Sequence, residues 1–450
     1  MPNNPSSPPH TKGPTIKKVA IVGGGLVGVT SAQALMQAGF EVHVFEKGST
    51  VALNSSFAGG GVASVGSAQC ISSSDALGRA VRQVFSRHAA LRWDLAPSLR
   101  QWGFAARWLR HATHAKTLHN QAALLRLAHY SQSLKAQLDA QLPFDHEQTQ
   151  GSLQLFRSPK ELERAAQKLP RLDSLGLSYQ VLDAAGCLVR EPGLNPENPL
   201  AGGIAYAGDS AGNTALYTKQ LKQSTHAAGV HYHFEVSVTQ LLPEAKGWRV
   251  MTQAMQVGAA SQSEHFDAVV LATGSDSLPL LHAQGLKLPL YPLRGYALTL
   301  PIGSLEDAPQ ASVLDDNLQV SMTRLGLRLR VAGQGEIGNA ALREAKGKNA
   351  GKLAVRDAPV KTLSHVLQTW FPYAGKLSEA SYWCGTYPTL PDGPPVVGAT
   401  PVAGLYVNLG HGNNGWGACF GAAQLLADAM AGKTAAIDTT GLTLARYLKG

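Results

Sequence analysis

The first segment with a readable hydrophobic pattern is Lys18–Val22 (KVAIV), an apolar run closed by three glycines, Gly23 to Gly25. Its shortness and β-branched content predict a buried parallel strand. Residues 26–38 then place small and apolar side chains at helical spacing, and Gly39 stops them. Glu41–Glu46 (EVHVFE) alternates as a second strand, which completes a strand–helix–strand unit. Residues 75–142 read as helical, basic and aromatic. Beyond them the pattern predicts strands at 151–156, 231–238, 247–253 and 267–271, and helices at 159–175 and 216–228. Residues 290–300, 319–323 and 327–331 alternate as antiparallel strands. A strand at 405–409 leads through a glycine-rich turn into a helix at 416–431. No fixed-period repeat is present. The pattern is that of a mixed α/β chain.

Composition narrows this reading. At roughly 150 residues per domain, 450 residues predict two or three domains. Apolar residues make up 44% and charged residues only 15%, which excludes a disordered or coiled-coil chain and points to large buried or concave uncharged surfaces. Cys70, Cys187, Cys384 and Cys419 form no CxxC pair, so reduced thiols in a cytoplasmic protein are expected rather than disulfides or a zinc site. Residues 19–40 and 404–427 carry no charge, but glycines and polar side chains interrupt both, and neither is expected to span a membrane. Residues 1–14, rich in Pro, Asn and Ser, read as a disordered tail. The net charge is +9, and residues 79–130 hold eight Arg and one Lys against Asp94, a net +8 within that segment. Such a segment suits an anionic partner: phospholipid, nucleic acid or an acidic protein. Trp93, Trp102, Phe104 and Trp108 interleave with its arginines, a composition that fits either a lipid surface or a packed core.

The chemistry begins at Gly23-x-Gly25-x-x-Gly28, set between the first strand and helix, with Leu26 and Val27 inside it. Gly23 allows a tight turn, Gly25 lets a pyrophosphate approach the backbone, and Gly28 lets the helix pack on the sheet. Glu46 ends the next strand, followed by Lys47, and can accept hydrogen bonds from an adenosine ribose. A later strand runs into Thr273 and Gly274, and a third glycine-rich turn, Gly410-His411-Gly412-Asn413-Asn414-Gly415, precedes the last helix. One ligand touched at three widely spaced places suggests a long dinucleotide, FAD, bound non-covalently. The last helix N-terminus would stabilise negative charge on the reduced ring.

With these motifs in place, the chain resembles the FAD-dependent D-amino-acid dehydrogenases of the D-amino-acid oxidase superfamily. The resemblance rests on the stretches GSLQLFR from Gly151, YPLRGY from Tyr291, PDGPPVVG from Pro391, GLYVNLGHG from Gly404 and LLAD from Leu425. It implies a Rossmann-like three-layer FAD domain built from residues 15–75, 200–285 and 390–450. The substrate domain, with a mainly antiparallel sheet, would hold residues 76–199 and 286–389. It implies hydride transfer from an amino-acid substrate to the flavin, with electrons passed to a membrane or quinone acceptor. By the same resemblance, Ser55 and Ser56 approach the pyrophosphate and ribityl chain, and the backbone of Val238 holds the adenine. Arg294, Tyr296 and Arg324 fall where the substrate face is expected, with His411 beside the flavin, although an ion pair or a core tyrosine explains the first three equally well. The family's W-x-G-L-R-P stretch holds the substrate carboxylate through its arginine, and here that position is Tyr387. Gly59, Val62 and Asn413-Asn414 also depart from the pattern. Three readings follow: an amino-acid oxidoreductase, an FAD-dependent tRNA-modifying enzyme of the same superfamily, or a flavin-binding partner without turnover. No RNA-binding module is recognisable, so nucleic acid is not expected as a partner, whereas an anionic membrane surface is.

Overall fold

Successive residues of Lys18–Val22 bury themselves on opposite faces of one sheet. In this computed structural model, which describes residues 16–93, 98–256, 258–338 and 353–448, Val19 and Ile21 pack on helices and Ala20 and Val22 on a second β layer. A strand covered on both faces has to be apolar throughout, which is why KVAIV carries no polar interruption after Lys18. The expected tail at 1–14 lies outside the described residues.

The sheet has six strands in the order Val396–Ala399, Leu405–Leu409, Ala268–Leu271, Lys18–Val22, Glu41–Glu46 and His231–Phe234. All pairs are parallel except the first, which is antiparallel. Helices Leu26–Gln37 and Gly415–Met430 share the core on one face, where Ala32, Leu35, Ala422 and Leu426 meet. The antiparallel strands Val236–Pro243, Trp248–Ala254 and Ser261–Phe266 cover the other face through Leu241, Val250 and Phe266. This is the expected three-layer arrangement.

A ten-stranded, mainly antiparallel sheet forms the second half of the molecule. Near one end of it, Tyr291–Pro301 lies between the edge strand Ser381–Thr389 and Arg328–Ile337. Helix Asp357–Trp370 packs on its back face against Leu298, Val320, Met322 and Val331.

Three expectations change. Residues 75–142 are three helices, Ser74–Gln83, Leu99–His111 and His114–Gln141, with a short strand Leu91–Trp93 between the first two. The longest of them, placed by sequence with the substrate domain, buries Ala123 and Leu127 in the same core as the last helix, on the dinucleotide side. Gly202–Ala211 pairs with Thr149–Phe156 in the large sheet, so the chain returns to the parallel-sheet half only after Gly212, later than the expected residue 200.

Candidate functional site

The first glycine turn is shaped by close approach. Gly23 has φ +111°, and a Cβ on Gly28 would lie 1.8 Å from the Gly23 carbonyl oxygen, so no other residue fits at Gly28 without moving the turn. Gly25 differs: its φ is −71°, and the nearest atom to an added Cβ is Ser56 Oγ at 3.5 Å. Its missing side chain leaves open space at the start of helix Leu26–Gln37, which has no side-chain cap. The first-turn N–H groups are therefore available to an anion, apart from Leu26 N–H, which donates to Ser56 Oγ at 3.0 Å. Glu46 is buried, and its carboxylate accepts from the N–H groups of Gly24 (2.7 Å) and Gly48 (2.8 Å). Lys47 forms an ion pair with Asp276 beside it. Ser55 and Val238 also border this end, as do Thr273, whose hydroxyl meets Ser277 Oγ at 2.6 Å, and Gly274.

From Glu46 a single cavity of about 2590 Å³ runs to the front face of the large sheet. That exceeds the ~300–1,000 Å³ of an ordinary small-molecule pocket. The turn 410–415 borders it midway. Gly410 and Gly412 have φ +83° and +56°, and the helix that follows, Gly415–Met430, again lacks a side-chain cap. Asn414 Nδ2 braces the turn by donating to the Gln69 carbonyl at 3.2 Å. His411 bridges to Thr389 of the large sheet. Asn408 Nδ2 donates to Ser31 Oγ at 3.0 Å, which leaves its Oδ1 to accept from His411 Nε2 at 2.8 Å. The proton is thereby held on Nε2, and Nδ1 is a buried lone pair without a partner. Burial pushes the His411 pKa down to about 4, so the ring is neutral at pH 7.

The far wall corrects the choice of substrate residues. Alternation along Tyr291–Pro301 puts Leu293 and Gly295 on the face that lines the cavity and Arg294, Tyr296 and Leu298 on the other, where Tyr296 packs in the back core and still borders the cavity. Arg294 is fully buried there, its guanidinium 5.1 Å from the Tyr296 ring and donating to Cys384 Sγ at 3.1 Å. The Tyr296 hydroxyl donates to the Glu336 carboxylate. Arg324 shares the back face with Val320 and Met322 and donates to the carbonyl of Gly326, while Ser321 and Thr323 point forward to Gly60. Arg294 and Arg324 thus lie off the cavity, whereas Tyr296 borders it with its hydroxyl committed to Glu336. Tyr387 does reach the cavity. Its ring occupies the space over Gly295, where a Cβ would lie 2.7 Å from Cε1, and burial raises its phenol pKa.

Sequence reading missed Gln334. Arg294 pairs with Glu336 but Tyr296 with Gly333, so the edge of Arg328–Ile337 carries one extra residue, a β-bulge. Gln334 sits in it at φ +63°, lines the cavity, and leaves both amide atoms buried without partners among the described residues. The Gly-Gln-Gly run within RLRVAGQGEI is the sequence signal for it. Also missed were Arg330, which donates to the Phe57 carbonyl at 3.3 Å and braces the loop near Ser55, and the cavity-facing side of helix Leu99–His111.

Residues 18–429 match the family model for FAD dependent oxidoreductases. The chain belongs to that family. FAD is its cofactor, and the residues present fit it: the uncapped N-terminus of Leu26–Gln37 and the clear space at Gly25 would face the pyrophosphate, Glu46 would meet the adenosine ribose, and the uncapped N-terminus of Gly415–Met430 would face the flavin ring. This FAD-dependent oxidoreductase is 38% identical over 441 residues to the D-amino acid dehydrogenase of Cereibacter sphaeroides strain ATCC 17029, spanning 96% of this chain and 95% of that one. It is 34% identical to D-amino acid dehydrogenase 1 of Mesorhizobium japonicum, over 96% and 100% of the two chains. Its fold is similar to that of glycine oxidase from Geobacillus kaustophilus, at TM-score 0.69 and 21% identity, covering 95% and 98%.

Proposed function

We propose that this oxidoreductase oxidises the CH–NH bond of an amino acid, either a D-amino acid or a cyclic secondary one. The observation that carries the reading is the single cavity joining the Glu46 end, the turn at His411 and the sheet face at Leu293, Gly295 and Tyr387. The names of the sequence relatives support it. When bound, FAD supplies a hydride acceptor at N5 for the substrate Cα–H. The chain's own part is orientation and exclusion of water. Among the described residues, the carboxylates lining the cavity are Glu46 and Asp276, both at the adenosine end, so no carboxylate is held at the reacting carbon. Loss of that hydride and of a proton from nitrogen leaves an imine, which water hydrolyses to a 2-oxo acid and ammonia from a primary amino acid, or to a ring-opened amino 2-oxo acid from a cyclic one.

The electrons go to a membrane-borne, quinone-type acceptor, and the protein works at the inner face of the membrane. No helix among the described residues is long and apolar enough to cross a membrane. Helices Ser74–Gln83 and Leu99–His111 nevertheless flank the cavity with Phe85 99% and Leu99 95% exposed, and Trp102 and Leu109 also face outward, among exposed Arg82, Arg87, Arg107 and Arg110. Phe104 and Trp108, expected at such a surface, are buried in the core instead, and Trp93 packs on Trp108 with ring centres 5.7 Å apart and planes tilted by 47°.

The test is anaerobic mixing of the yellow holoprotein with a panel of D-, L- and cyclic amino acids. Bleaching of the flavin visible band by at least one of them is expected. No bleaching by any member would overturn the reading in favour of a flavin-binding protein without amino-acid turnover.

A further inference from the structure

A carboxylate entering this cavity loses hydration and needs a charged donor in return. Tyr387 offers a neutral phenol, and Arg294 and Arg324 face the back of the sheet. The cations that do line the cavity are Lys47, Arg79, Arg100, Arg107 and Lys287. Lys47 is paired with Asp276, and Arg79 with Asp316 at 3.2 Å. Lys287 follows the helix Ser277–Ala283, at whose start Asp276 stands on the adenosine side. Arg107 donates to the carbonyl of Gly103 in its own helix.

Arg100 is different. It enters from helix Leu99–His111, whose residues 100, 103, 104 and 107 form one cavity-facing stripe at i, i+3, i+4 and i+7. Its guanidinium lies 5.9 Å from the centre of the Tyr291 ring, and Nη2 donates to the Leu290 carbonyl at 3.3 Å. No carboxylate among the described residues pairs with it. The Tyr291 ring and the Leu290 carbonyl hold one edge of the fork at the start of strand Tyr291–Pro301, and no other hydrogen bond of the fork is made among the described residues. Tyr291 pairs with Thr389, and Thr389 bridges to His411, so the Tyr291 backbone against which Arg100 sits stands two strand spacings, about 10 Å, from the turn 410–415. Gln334 lies four residues along the same wall, at Gly295, too far to share one carboxylate with Arg100.

We propose that Arg100 is the residue that binds the substrate's α-carboxylate, in place of the arginine that Tyr387 replaces. The proposal rests on the amino-acid reading above and deepens it: selection for a carboxylate comes from a helix outside the sheet. An exposed arginine is removable without harm to the fold, so variants report on binding directly.

The experiment uses holoprotein and two non-reacting probes, benzoate and its uncharged isostere benzamide, each titrated by the shift of the flavin visible band. Wild type should bind benzoate more tightly than benzamide. Arg100→Ala should weaken benzoate roughly 10- to 100-fold and leave benzamide within about twofold, the range of a charged hydrogen bond. Arg100→Lys should fall between, because it keeps the charge but not the planar fork. Arg324→Ala should match wild type. With the amino acid that bleaches the flavin fastest, Arg100→Ala should raise KM by a similar factor and change the saturating reduction rate less. A benzoate-to-benzamide ratio unchanged in Arg100→Ala overturns the proposal, as does a ratio lost in Arg324→Ala instead. If no amino acid bleaches the flavin, the functional reading fails, and the benzoate titration still decides whether Arg100 binds carboxylates.

Discussion

His411 shows how much one residue owes to its neighbours. The relay Ser31–Asn408–His411 assigns the tautomer, and burial keeps the ring neutral. A histidine at about 4 in the folded chain and about 6.5 when unfolded binds fewer protons folded, so the chain loses stability as pH falls through that window. Between pH 7 and pH 5 the loss is about 2 kcal/mol from this residue. His411→Gln should remove that part of the pH dependence, measured as the difference in denaturant midpoints at pH 7 and pH 5. An unchanged difference in the variant would refute the assignment. Gln334 carries a comparable local expense, since each unbonded buried polar group costs about 1–3 kcal/mol and its φ lies where side chains are strained.

At the level of elements, the strand–turn–helix unit separates two reasons for glycine. Gly28 lacks a side chain because the turn backbone occupies the space, whereas Gly25 lacks one only toward the cavity. Gly28→Ala should therefore cost about 3 kcal/mol of stability, the upper range for overpacking, visible as a lowered melting temperature. Gly25→Val should melt like the wild-type apoprotein and bind no FAD, because its side chain stands where the pyrophosphate approaches. Stoichiometric flavin in purified Gly25→Val would disprove the role given to this turn. Helix Leu99–His111 divides its labour by face: Phe104 and Trp108 anchor it, Arg100 meets the cavity, and Trp102 and Leu109 face outward.

For the whole molecule, exposed Phe85, Leu99, Trp102 and Leu109 stand among exposed Arg82, Arg87, Arg107 and Arg110 in two segments that border the cavity. Binding to anionic vesicles follows, with each arginine near the surface contributing on the order of 1 kcal/mol and screened by salt. Flotation with phosphatidylglycerol-containing vesicles at low salt should recover the protein, and neutral vesicles or high salt should not. Phe85→Glu with Leu99→Glu should reduce recovery at least tenfold. Equal recovery with both vesicle types would remove the membrane from the account.

The sequence by itself determined what is local. Glycine spacing, the alternation of Glu41–Glu46, the acid at its end and the turn 410–415 can be read because sterics and periodicity act over a few residues. The cofactor half of the site was legible for that reason. The substrate half was not, because side chains on a strand alternate and one extra residue inverts their facing. Nothing in YPLRGY says whether Arg294 or Gly295 meets the cavity; packing of helix Asp357–Trp370 on the back face decides it, with the bulge at Gln334. Arg100 reaches Leu290 across 190 residues of chain, and Trp108 rather than Phe85 is buried because Tyr291, Leu293 and Ile337 supply its core. Those choices come from contacts between distant segments, and only the tertiary structure makes them.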